Sequence, residues 1–164
     1  MKLYLVRHGA AHDRDHERWP DDALRPLTPE GEERFRGVAE ELGRIVPEVP
    51  RLFSSPFERA WRTAEILNET AGWPEPEAFP AMEPDVPPEK AVVALETLSD
   101  ESSIALVGHR PQLHELASYL LTGEDDGVEV RIKKGGALGI RFHGAPVPGT
   151  GEMLWLITPK VLRR

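Results

Sequence analysis

Cysteine is absent from the 164 residues, which excludes disulfides, thiolate metal sites and a cysteine nucleophile together. Positive charge is in deficit: 20 Lys and Arg stand against 28 Asp and Glu, a formal net charge of −8. A polyanion-binding surface, for nucleic acid or an anionic membrane, is therefore not expected. Long apolar runs are missing as well. The opening run Met1–Val6 meets Arg7-His8 before it is long enough for a signal-peptide core, so a cytoplasmic location is expected. No repeat or low-complexity linker interrupts the chain, and residues 1–164 read as a single domain. What is present, 40% hydrophobic and 29% charged residues, suits an ordinary globular chain with one core.

Lys2–Val6 reads as a buried strand ended by Arg-His-Gly. Thr28-Pro29 opens a helix with Phe35, Val38, Ala39, Leu42 and Ile45 on one face, and Pro47 and Pro50 stop it. Arg51–Ser54 is a second strand. Ser55-Pro56-Phe57-Glu58 has the form of a capping box and predicts a helix through Ala60, Ala64 and Leu67. The proline-rich stretch from Gly72 to Pro88 is read as loop with a short strand near Ala78–Met82. A helix over Pro88–Leu98 and a third buried strand over Ser103–Val107 follow. Pro111 then opens a helix whose Leu113, Leu116, Ala117, Leu120 and Leu121 share a face. Gly135–Phe142 and Glu152–Ile157 predict an antiparallel finish. Strands alternating with helices specify an α/β fold, a three-layer α/β/α sandwich on a mostly parallel sheet with an antiparallel strand.

In such sheets the loops at the carboxyl ends of the strands form the binding crevice. The first strand ends in Arg7-His8-Gly9, the second leads to Ser55 and Arg59, and the third ends in Gly108-His109-Arg110. Two histidines and at least two arginines thus meet one edge. Arg59 lies in the first turn of its helix, where free N–H groups already favour an anion. A basic pocket of this kind fits phosphate or carboxylate.

Leu5-Val6-Arg7-His8-Gly9 resembles the signature of the histidine phosphatase (phosphoglycerate mutase-like) superfamily. Ser54-Ser55-Pro56 with Arg59-Ala60 and Thr63-Ala64 is similar to its second motif, and Val107-Gly108-His109 to its third. Leu27-Thr28-Pro29-Glu30-Gly31 matches a common helix start. The small size, Arg25-Pro26-Leu27-Thr28, Gly108–Leu113 and Lys133-Lys134-Gly135-Gly136 look like the short phosphohistidine phosphatases of the SixA type. The resemblance implies a phosphoglycerate mutase-like fold and a phosphatase that needs no metal or cofactor. His8 would be the nucleophile and carry a phosphohistidine intermediate. Its arginine neighbours disfavour imidazolium. Arg7, Arg59 and His109 would bind the phosphoryl oxygens, with Arg25 and Gly9 also at the substrate. Glu83 and Asp85 are the candidate general acids. A phosphoramidate releases an easily protonated imidazole and needs such an acid less than an alkyl phosphate does. The implied substrate is a phosphorylated protein, such as a phosphotransfer domain, or a small phosphate ester. A non-catalytic phosphate-binding module is the alternative outside enzymes.

Other residues carry blander readings. His8, His12 and His16 at i, i+4 and i+8 would hold a metal only on a continuous helix, which Gly9 disfavours. His114 and His143 are read as structural or exposed, Arg62 as outward-facing, and Lys133 and Lys134 as lysines that blunt a sheet edge. Trp19, in the loop after the first motif, is a candidate substrate contact. The net charge reads as an acidic shell around a small basic pocket, open to a protein partner with a basic patch.

Overall fold

β1 (Lys2–Arg7) is apolar on both sides in the computed structural model, which describes residues 1–162. Leu3 and Leu5 belong to one hydrophobic core, Tyr4 and Val6 to a second. β4 (Ser103–Gly108) divides in the same way, with Ile104 and Leu106 in the first core and Ala105 and Val107 in the other. Strands buried on both faces need helices above and below them. α3 (Pro88–Glu96) and α4 (Gln112–Thr122) cover the first core through Ala91, Leu95, Leu113, Leu116 and Leu120. α1 (Pro29–Ile45) and α2 (Glu58–Ile66) cover the second through Phe35, Val38, Leu42, Ala60 and Ala64. The short α5 (Pro159–Leu162) adds Leu162 to that side. The result is the expected three-layer sandwich. Arg163 and Arg164, the end of the expected domain, lie outside the described residues.

With β2 (Arg51–Ser54), β3 (Pro76–Ala78), β5 (Ala137–Arg141) and β6 (Glu152–Ile157), the sheet has the order β3-β2-β4-β1-β5-β6. Pairing is parallel from β3 to β1, and β5 is antiparallel to both of its neighbours. One strand thus runs against the rest, as the sequence predicts. The carboxyl ends of β1, β2 and β4 are adjacent, and backbone bonds lace the loops that follow. His8 N–H donates to Gly108 O at 3.1 Å, and Ser55 N–H to Val107 O at 3.0 Å. Gly135, at φ +74°, donates to both Arg7 O and His8 O at 3.0 and 2.9 Å. Only a residue tolerant of the left-handed region closes that turn without strain.

Several boundaries differ from expectation. α2 begins at Glu58, with Phe57 extended at its N-cap, so no capping box forms. The Ser55 hydroxyl that would have capped it instead accepts from Phe57 N–H and contacts His109. β3 lies at Pro76–Ala78, earlier than read, because Phe79 N–H turns to Ser54 O and Pro80–Met82 coil into a 3-10 turn. α3 ends at Glu96, where Leu98 N–H tightens onto Leu95 O.

The start of α1 is pressed against the loop after His8. Thr28 Oγ1 caps the helix by accepting from Gly31 N–H at 2.9 Å, and Thr28 N–H donates to Ala10 O at 3.1 Å. A Cβ on Gly31 would sit 2.1 Å from that same Ala10 oxygen, a backbone atom that cannot swing aside. Gly31→Ala is expected to cost about 1–3 kcal/mol of stability by overpacking. Urea denaturation measures it, and a variant of unchanged stability would show that the helix start is not held there.

Candidate active site

His8 stands at the carboxyl end of β1 with its ring buried. Its Nδ1 lies 2.7 Å from the carbonyl oxygen of Gly9. A carbonyl only accepts, so Nδ1 carries the proton and Nε2 keeps its lone pair. The loop is pinned from below: Gly9 N–H donates to Thr63 Oγ1 at 3.0 Å, and that hydroxyl donates to Arg59 O at 2.7 Å. Burial pushes the His8 pKa down to about 3, with Arg59, Arg7 and Lys134 lowering it further against the opposing pull of the Gly9 carbonyl. The imidazole is therefore neutral at pH 7, as a nitrogen nucleophile must be.

The His109 ring centroid is 5.2 Å from that of His8. Its Nε2 lies 2.8 Å from Ser55 Oγ, which already accepts from Phe57 N–H at 3.2 Å. The Ser55 hydroxyl has one proton to give and two lone pairs, so it can also donate to Nε2, an arrangement that leaves Nδ1 as the N–H of the ring. Burial, then the proximity of His8 and Arg59, lowers the His109 pKa to about 2.

The arginines are held from behind. Asp22 accepts from Arg25 Nε at 2.8 Å with one carboxylate oxygen and from an Arg59 terminal nitrogen at 3.1 Å with the other. Its backbone carbonyl takes a second Arg59 donor at 2.9 Å, and His12 O accepts from Arg25 at 2.7 Å. Arg7 donates to Ile132 O at 3.0 Å. After these bonds, Arg7 Nε, Arg59 Nε and His109 Nδ1 remain buried without a partner. Their residues line one cavity of about 260 Å³, together with His8 and Arg25. Arginines gathered with a neutral His8 around one cavity fit an acceptor-only tetrahedral oxyanion.

Arg7, His8, Arg25, Arg59 and His109 are thus brought together. Gly9 borders the adjoining cavity beside Phe35 and Lys134, and holds His8 through its carbonyl. Glu83 ends the Pro80–Met82 turn and does not line the His8 cavity, where Pro84 forms the wall. Asp85 lines a separate depression with Pro88 and Pro111. The carboxylate that does line the His8 cavity is Asp13.

His12 lines the cavity and packs on Trp19 at 5.0 Å, whereas His16 is exposed and outside it. The segment is not helical, and no group of three His, Asp or Glu among the described residues could hold a metal ion. His114 bonds the Ile132 backbone and His143 pairs with Glu152 at 3.0 Å. Arg62 faces Glu32, Glu65 and Glu69. Sequence reasoning missed Asp13 and Asp22. Asp22 had one usable signal, an acid three residues before Arg25 in a stretch too short for a long helix. Asp13 had none.

Asp22→Asn keeps the shape and removes the charge that orients both arginines. Orthophosphate affinity is expected to fall about tenfold, the loss of one charge-assisted hydrogen bond. Calorimetric titration measures it, and undiminished affinity would contradict the positioning role.

Acid should also destabilise the fold. Both histidines have native pKa values far below the ordinary 6.5. The unfolded chain therefore binds protons that the native state refuses, and stability is complete above about pH 6.5 and falls as pH drops toward 3. Each ring contributes a slope of up to about 1.4 kcal/mol per pH unit in that window. His109→Gln is expected to flatten the pH dependence of the urea midpoint, and an unaltered slope would refute this assignment.

Residues 3–83 match the family model of the histidine phosphatase superfamily (branch 1). The chain is 31% identical over 128 residues to the phosphohistidine phosphatase SixA of Escherichia coli K12, with 76% of each sequence covered. It is 34% identical over 166 residues to an uncharacterised protein of Picosynechococcus, with 99% of each covered. Among solved structures, the protein histidine phosphatase SixA complexed with tungstate superposes with a TM-score of 0.85 at 25% identity, over 99% of this chain and 100% of that one. A mycobacterial glucosyl-3-phosphoglycerate phosphatase, solved with inorganic phosphate, shares the fold at 14% identity, with a TM-score of 0.71 over 97% of this chain and 98% of that one. The chain belongs to the histidine phosphatase superfamily, among its small SixA-like members.

Proposed function

We propose that this protein hydrolyses phosphohistidine on another protein through a covalent phospho-His8 intermediate, without a metal ion. The observation that carries the reading is a neutral His8, its Nε2 lone pair free, sharing one cavity with Arg7, Arg25, Arg59 and His109. In the first step Nε2 attacks phosphorus and the substrate P–N bond breaks. The leaving imidazole takes up a proton from solvent at its departing nitrogen. In the second step water attacks phosphorus, the bond to Nε2 breaks, orthophosphate leaves and the excess proton returns to solvent. Arg7, Arg59 and the His109 Nδ1–H hold the equatorial oxygens in both steps, where charge spreads in the transition state.

The P–N substrate is favoured over an alkyl ester by what lines the cavity. An alkoxide leaving group demands a positioned acid. The expected acids Glu83 and Asp85 lie outside the His8 cavity, and the carboxylate that lines it, Asp13, is exposed. The names of the SixA relatives point the same way, and the tungstate bound by one of them is a tetrahedral oxyanion like phosphate, whatever the leaving group. No helix among the described residues is long and apolar enough to cross a membrane. A cytoplasmic location and a single catalytic domain belong to the same proposal.

Incubation with a phosphohistidine protein or phosphoramidate, acid-free quenching and mass analysis should find phosphate on His8. His8→Ala is expected to lose at least roughly a thousandfold in turnover. Full activity in that variant would refute the mechanism. Phosphate binding with no turnover of any substrate would instead identify a recognition module, and preferential turnover of alkyl phosphates a small-molecule phosphomonoesterase.

A further inference from the structure

Away from the site, most of the described arginines are paired. Arg36, Arg44, Arg51, Arg62 and Arg141 each pair with at least one carboxylate. Around the His8 cavity Arg25 and Arg59 share Asp22, and the other cations stand without a carboxylate. Arg7, Arg14, Arg110 and Lys134 line the cavity, and none of them has an acidic partner among the described residues. Lys133 is likewise unpaired. It and Lys134 were expected to blunt a sheet edge, yet they precede β5, which lies inside the sheet between β1 and β6.

Lys133 lines a second depression, of about 290 Å³, together with Arg7, Arg110, His114, Glu129 and Arg131. Arg7 and Arg110 border both this depression and the His8 cavity, so the two adjoin. Four cations face one carboxylate there, and Glu129 is already engaged by Arg131 in an exposed pair. Such a pair is weak and easily rearranged. Burial and then Arg110 depress the Arg7 pKa, and burial followed by Arg7, Arg110 and Arg131 depresses that of His114, once the Ile132 hydrogen bond is offset. Like charges held together without a protein counter-charge are unfavourable for folding and suit an anion brought from outside.

We propose that this depression is a second oxyanion subsite of the same active site, taking a carboxylate that the substrate carries beside its phosphoryl group. The inference rests on the phosphatase reading for the occupant of the first cavity. On a protein substrate the second group is an acidic side chain near the phosphohistidine. The docking partner thus presents acid, not the basic patch that the net charge alone had pointed to. Arg110 and Arg7 bridge the two anions, and Lys133 and Arg131 give the second one its preference.

The test uses ligands whose P–C bond cannot turn over, so that it does not depend on catalysis. Methylphosphonate and 3-phosphonopropionate are titrated calorimetrically into the intact protein and into Lys133→Ala/Arg131→Ala. The dianionic-headed carboxylate ligand is expected to bind about tenfold tighter than methylphosphonate to the unaltered protein, a gain of about 1.4 kcal/mol. The double variant should lose that preference while binding methylphosphonate within about twofold of the original, and Lys133→Arg should retain it. Equal affinities in the unaltered protein, or a preference that survives in the double variant, would overturn the subsite. Phosphohistidine peptides with flanking Glu or Gln then identify the source of the carboxylate. Faster turnover of the Glu peptide, lost in the double variant, supports a protein-borne group. Equal peptide rates overturn that source and leave a carboxylated small ester. A preserved phosphonate preference with no phosphohistidine turnover removes the enzymatic reading and not the subsite.

Discussion

The hydrogen bond from His8 Nδ1 to the Gly9 carbonyl is the contact on which the chemistry turns. It joins neighbouring residues, so its geometry is decided by the backbone of a single loop. If that carbonyl rotates away, the ring loses both its orientation and its tautomer. Much of the surrounding fold is consequently devoted to holding the loop still. Thr63 takes the Gly9 N–H, Gly135 donates to the carbonyls of Arg7 and His8, and β4 receives the His8 N–H. The start of α1 approaches so closely that only glycine fits at position 31. Four elements distant in sequence therefore fix one torsion, which explains why the family motifs are scattered along the chain yet converge in space.

The same loop gathers groups that repel one another. Neutral His8 and His109 share a cavity with five arginines, Arg7, Arg14, Arg25, Arg59 and Arg110, and Asp22 bridges two of these. One carboxylate for two guanidiniums leaves the site electron-poor but not disordered. Neutrality of the imidazoles follows chiefly from burial, with the arginines adding to it. The apparent conflict between a cationic pocket and a basic nucleophile disappears on this account. The cations that suit the pocket to an oxyanion also keep protons off the nitrogen proposed to attack it.

The architecture was largely legible from local pattern, because continuous apolar runs such as Lys2–Val6 and Ser103–Val107 can only be strands buried on two faces. The strand-end histidines and arginines were legible for the same reason, since topology carries strand ends to one edge. Misreadings arose where a side chain was needed by a distant residue. Ser55 looked like a helix cap and instead serves His109, a partner 54 positions away. Lys133 and Lys134 looked like edge lysines because the sheet order, with β5 inside and β6 outside, is not written in local periodicity. Only half of the positioning role of Asp22 was legible, its spacing to Arg25, because its second partner, Arg59, is 37 positions away. Glu83 was a candidate acid that no motif marked, and the turn of Pro80–Met82 leaves Pro84 at the wall of the cavity.

Net charge proved the least transferable of the sequence quantities. A total of −8 describes the molecule only at distances where its charges blur together, and at physiological salt the field is screened beyond about 8 Å. A partner within that distance meets local charge instead. Near the His8 cavity the local charge is Arg7, Arg14, Arg110 and Lys134, unpaired, while the acids are spent on arginines elsewhere, as in the Arg62 cluster with Glu32, Glu65 and Glu69. Segregation of this kind lets an acidic protein remain soluble and still attract anions at one place. It also favours a phosphoryl group presented on an acidic protein surface. On the proposed reading, such a substrate crosses the repulsive outer field once and then gains contacts from both adjoining cavities at the mouth.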